Sequence, residues 1–160
     1  MLASASRITQ GVIDSHIHIY PEISLKIHNA SLDEEWISEA INAGMRAVCL
    51  KSHYWPTVDK AFTLGTIFRA IDVVGGIVLN HTVGGLNPLA VRVAIENGGR
   101  VVWFPTWSAV NDLERSGYSK RVLSIYRDAR FQPLSILDSE NHLIPDVKNI
   151  LKLIADNDIC

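Results

Sequence analysis

Short apolar runs alternate with stretches of helical period along most of the chain. The first run, Gly11 to Ile19, predicts a strand. Ser31 and Glu34 stand at capping-box spacing, so a first helix is expected to open at Ser31. Trp36, Ile37, Ala40 and Ile41 give it an apolar face, and Gly44 closes it. Arg46 to Lys51 reads as a second strand. A helix after Pro56-Thr57 carries Ala61, Leu64, Phe68 and Ile71 at helical spacing. Val73 to Asn80 reads as a third strand. Asn87-Pro88, an N-cap followed by proline at the first helical position, opens a helix that ends at Asn97-Gly98-Gly99. Arg100 to Phe104 reads as a fourth strand. Beyond a Trp-containing polar stretch, a helix is expected over Tyr118–Arg127, then an extended arm over Pro133–Ile144. A last helix from near Asp146 has Val147, Ile150, Leu151 and Ile154 inward and stops at Asp156-Asn157. Asp158-Ile159-Cys160 reads as the start of a fifth strand.

Strand–helix alternation predicts the α/β class, with a parallel sheet and helical crossovers. The strands are short and apolar, as strands buried on both faces are. Residues 1–10 read as an N-terminal extension and residues 11–160 as the folded unit. With 160 residues, 48% of them apolar, the chain can bury one substantial core. A mean hydropathy of +0.14 leaves room for apolar surface that something else covers.

A net charge of −2 with scattered Lys and Arg argues against nucleic acid as a partner. No apolar run is long enough for a membrane helix, and Met1–Arg7 lacks the apolar stretch of a secretory signal. The two cysteines, Cys49 and Cys160, make no disulfide framework, so the expected location is cytoplasmic.

In a parallel βα architecture, ligands gather at the carboxyl ends of the strands. Four of the six histidines fall at three of those ends: His16 and His18, His53, and His81. In a regular strand Asp14, His16 and His18 share a face, and two imidazoles two residues apart can reach one cation. His16 and His18 are therefore the expected metal ligands, with Asp14 behind them to orient an imidazole. His53 and His81 are candidates for further ligation or proton transfer. Lys51 is expected on the same inward face as Cys49, where a buried ammonium needs a partner or a task. Gly84-Gly85 before Asn87 could present backbone amides to an anion. His28 and His142 read as surface residues.

Ile13-Asp14-Ser15-His16-Ile17-His18 resembles the first-strand signature of the amidohydrolase superfamily of metal-dependent TIM-barrel hydrolases. Leu50-Lys51-Ser52-His53, Leu79-Asn80-His81 with Val83-Gly84-Gly85-Leu86-Asn87-Pro88, and Val102-Trp103-Phe104-Pro105-Thr106 are similar to an uncharacterised amidohydrolase-like family. The resemblance implies that residues 11–160 form the first half of a (β/α)8 barrel, stopping as its fifth strand begins. It implies a divalent metal on His16 and His18, and imidazole ligands suit Zn, Mn or Fe. Lys51, from its own place on the inward face, is expected to bind an anionic group of a small-molecule substrate. Four parallel strands leave two open edges and an uncovered inner face, with Val12, Cys49, Val78 and Phe104 on it by strand parity, so a homo-oligomer or a missing C-terminal half-barrel is expected. A metal-dependent phosphoesterase of the polymerase-and-histidinol-phosphatase type begins with the same HxH. A non-catalytic half-barrel that binds metal and self-associates is a further alternative.

Overall fold

A computed structural model describes residues 8–22, 32–115, 124–126 and 132–160. Strand β1 spans Ile13–His18, helix α1 Asp33–Asn42, β2 Ala47–Lys51 and α2 Val58–Ile67. They are followed by β3 (Asp72–Val74), β4 (Gly76–Val78), a short 3-10 turn (His81–Val83) and α3 (Pro88–Glu96). β5 (Val101–Trp103), α4 (Val110–Arg115) and α5 (Pro145–Asp156) complete the order. Among the described residues, no helix is long and apolar enough to cross a membrane.

All strand pairs are parallel: β1–β2–β3 in one ladder and β4–β5 in another. The expected third strand is thus broken in two at Gly75, and close packing gives the reason. A Cβ on Gly75 would lie 2.7 Å from the Val58 Cα and 2.8 Å from the Thr57 carbonyl oxygen. The chain passes directly under the start of α2 there. Thr57 fills the gap between β2 and β4. Its hydroxyl donates to the Leu50 carbonyl at 2.7 Å and accepts from the Gly76 N–H at 3.0 Å, while its own N–H reaches the Gly76 carbonyl. Strand order therefore follows chain order. Cys160 extends it, donating to the Arg100 carbonyl and accepting from Val102 N–H, the two bonds of a parallel ladder on β5.

Helix ends follow local chemistry. Asn87 accepts from the Leu89 and Ala90 N–H groups, with Pro88 at the first helical position, so α3 starts where expected. That cap occupies free amides of the α3 N-terminus, which weakens the anion-site reading of Gly84-Gly85. α1 starts after Leu32, whose N–H donates to Glu35, one residue beyond the expected spacing. Ser31 lies outside the described residues, as does His28. Of the helix expected over Tyr118–Arg127, residues 118–123 and 127 lie outside them, and 124–126 form a turn. α4 was not expected from the sequence. The arm over Pro133–Ile144 is held by bridges of Leu134 to Ala109 and of Leu137 to Leu143.

The core lies between the sheet and its helices. Ile19, Val48 and Leu50 pack on Ile37, Ala40, Ala61 and Leu64. Ile77, Leu79 and Val102 pack on Val91, Ala94, Val147 and Ile150. Strand alternation sends Cys49, Lys51, Val78 and Trp103 to the other face. That face is not bare. Cys49 and Val78 are buried, and the Trp103 ring lies so close over Gly76 that a Cβ there would meet it at 2.7 Å. Phe104 packs against the helix-side core, contrary to the inner-face expectation, because it alternates with Trp103.

Candidate metal centre

β1 pairs with β2 so that His18 lies opposite Lys51, but the register slips between Asp14 and Ile17. This bulge breaks strict alternation. Asp14 lies opposite Val48, and its carboxylate accepts the backbone N–H of His16 at 3.0 Å. Asp14 thereby fixes the backbone of the bulge; the strand alone does not aim it at an imidazole.

His16 in the bulge and His18 beyond it converge. His16 Nε2 and His18 Nε2 are 2.9 Å apart, and Lys51 Nζ is 3.2 Å from His16 Nε2. Two imidazole nitrogens about 2.0–2.1 Å from one ion stand about 2.9 Å apart at a right angle and about 3.3 Å apart at a tetrahedral angle, so this pair needs little or no opening to hold one. Lys51 is 4% exposed, and burial lowers its pKa, opposed by Glu22. Its ammonium also lies 5.7 Å from the Trp103 ring centroid. Burial, then Lys51 and His18, lower the His16 pKa and favour its neutral, ligating form.

Glu22 joins this group from the loop after β1. It is 5% exposed, yet its Oε2 has no hydrogen-bond partner among the described residues. Its Oε1 lies 3.4 Å from His18 Nδ1 and accepts the His53 N–H at 2.8 Å. The loop is pinned from behind. Tyr20 N–H donates to buried Asp33, and Lys60 Nζ bonds both Asp33 and the Tyr20 carbonyl. His18, Glu22 and His53 each offer a ligand atom within 4.8 Å of the others. The donor set fits a divalent transition ion: imidazole nitrogens and a carboxylate oxygen with an unfilled valence. Sequence reading missed Glu22, although an acidic residue four positions past the second histidine was a signal.

His53 is set by the turns after β4 and β5. Its Nδ1 lies 2.7 Å from Thr106 Oγ1, its carbonyl accepts from Asn80 Nδ2, and its ring stacks on Trp107 at 3.9 Å. Burial first, then Lys51, His18 and His16, push its pKa down to about 3. His53 is therefore a neutral imidazole at ordinary pH, unsuited to serve as an acid there.

His81 goes elsewhere. Its N–H donates to Ser108, and its Nε2 meets the Gln132 carbonyl. The structure thus gathers His16, His18, Glu22, Lys51 and His53, while His81 braces the turn after β4. His142 is exposed beside Asp138 and Glu140. A cavity of about 870 Å³ opens on the helical face between α2 and α3, lined by Trp55, Phe62, Leu89 and Val93 among others. None of the five gathered residues lines it.

A family model described as a family of unknown function (DUF6282) matches residues 11–160. No curated protein and no solved structure matches the chain.

Proposed function

The chain belongs to this family of unknown function, and we propose that its activity is metal-dependent hydrolysis of the amidohydrolase type, on an amide, ester or related bond. The observation that carries the reading is the Oε2 of Glu22, without a hydrogen-bond partner among the described residues and buried beside imidazoles that have already converged. A buried carboxylate oxygen without a partner is costly, and a cation between these groups relieves it. His16 and His18 would hold the ion through their converged nitrogens, with the Glu22 carboxylate beside His18 to ligate it or balance its charge. Bound there, Zn, Mn or Fe supplies a water that deprotonates near neutral pH. Lys51 lies beside His16 to anchor or polarise an anionic part of a small-molecule substrate. The parallel strands in chain order, with helices packed on one face and the cluster at the carboxyl ends, support reading them as successive strands of a (β/α)8 barrel.

The test is metal analysis of the purified chain beside a His16→Ala/His18→Ala double variant, after loading with zinc or manganese. About one ion per chain is expected, lost in the variant. Unchanged metal content would remove the reading. Loaded protein is then assayed on amides, esters and phosphoesters. Turnover of phosphoesters alone would replace the amidohydrolase reading with the phosphoesterase one.

A further inference from the structure

Building on the metal-dependent reading above, we infer that His53 donates a hydrogen bond to the substrate oxygen that gains charge, and is not a ligand of the ion. Asn80 and Thr106 are the positioning residues that set its tautomer. The chain of hydrogen bonds begins at Asn80. One end of its amide faces two backbone donors, Thr106 N–H at 2.9 Å and Ser108 N–H at 3.1 Å. Only oxygen can accept both, so the other end is the NH₂ group. That group donates to the His53 carbonyl at 3.0 Å and to Thr106 Oγ1 at 2.9 Å, which uses both of its hydrogens.

Thr106 Oγ1 is therefore already an acceptor. Its remaining partner among the described residues is His53 Nδ1, 2.7 Å away. The hydroxyl keeps a second lone pair, but donation to Nδ1 is the arrangement that gives its hydrogen a partner among the described residues, and Nδ1 is taken as the acceptor. A neutral imidazole that accepts at Nδ1 carries its proton on Nε2. An Nε2–H has no lone pair in the ring plane for a metal, but it is a good donor to an oxygen. The ring stands 4.8 Å from that of His18, at the edge of the proposed ion site, and its face is fixed against Trp107. A substrate carbonyl or phosphoryl oxygen placed there would gain negative charge as water adds, and a preorganised N–H stabilises that charge. His53 transfers no proton in this role, so it needs no partner to restore one.

The experiment is a long-range ¹H–¹⁵N correlation spectrum of the ¹⁵N-labelled full chain, first zinc-free, then zinc-saturated, then with added acetohydroxamate. His53 is expected as the Nε2–H tautomer in all three. Zinc should move the His16 and His18 signals, and acetohydroxamate should move the His53 Nε2–H. Protonation of His53 on Nδ1, in either the free or the loaded chain, would overturn the inference. So would acetohydroxamate that perturbs His16 and His18 but leaves the His53 N–H unmoved. If zinc moves no histidine, the metal reading fails and takes the substrate role of His53 with it; the zinc-free tautomer distinguishes this from a wrong assignment. Thr106→Val should mix the tautomers without lowering zinc stoichiometry, and Thr106→Ser should restore the single form. A single Nε2–H tautomer retained in Thr106→Val would show that Thr106 does not set it.

Discussion

Glu22 places a carboxylate where one is costly, 5% exposed with one oxygen unpaired among the described residues. Glu22→Gln isolates its charge, because the amide oxygen can still accept the His53 N–H that Oε1 accepts now. We expect zinc affinity to fall by at least about 10-fold, the lower range for losing a partner of a metal site. Competition with a chelating dye measures it, and an unchanged affinity would exclude Glu22 from the centre. Cys49 makes a separate point about the inner face. Burial pushes its thiol up to about 11, and it is 3% exposed, while Cys160 is exposed. The thiolate is the reactive form, so at pH 8 Cys49 stays protonated and shielded. A thiol reagent should label Cys160 quickly and Cys49 only on unfolding. Two equally fast thiols would mean that the inner face is open. The HxH pair was legible as a spacing, but the bulge that spans Ser15 and His16 was not, because a one-residue slip leaves no mark in apolar periodicity.

Periodicity reads elements well where one face is buried and the ends are capped chemically. Asn87-Pro88 and Gly98 bound α3 as expected, and α5 keeps Val147 and Ile150 inward. The break of the third strand was not readable, because it comes from α2 crossing over Gly75, a contact between segments distant in sequence. His53, Asn80 and Thr106 likewise meet only through the turns after three different strands. Strand ends indicated where they would gather but not which nitrogen each would offer. Thr57 is the device that compensates for the break. It is 1% exposed, and its hydroxyl bonds the backbones of both β2 and β4. Thr57→Val keeps the shape and removes those bonds, stranding buried backbone groups. A loss of about 1–3 kcal/mol is expected from denaturant unfolding. A neutral result would mean that β2 and β4 hold together through the Thr57 backbone bond and apolar packing alone.

The sheet as a whole has two different margins. On the β5 side, Cys160 is already paired. On the β1 side, no strand pairs among the described residues, and Ile13 is 55% exposed with Val12 beside it at 41%. An edge strand that presents apolar side chains and free backbone groups is a template for another chain. A second copy could cover it around a two-fold axis, which buries the same edge on both partners. Light scattering over a wide concentration range should therefore show association of the purified chain. Ile13→Lys puts a charge on that edge, away from the convergent imidazoles, and should shift the chain toward monomer while zinc content is unchanged. A stable monomer at all concentrations would mean that this edge is covered within the chain itself. A dimer indifferent to Ile13→Lys would place the contact elsewhere. The apolar opening between α2 and α3, where Phe62 and Leu89 stand exposed, is then the next surface to charge.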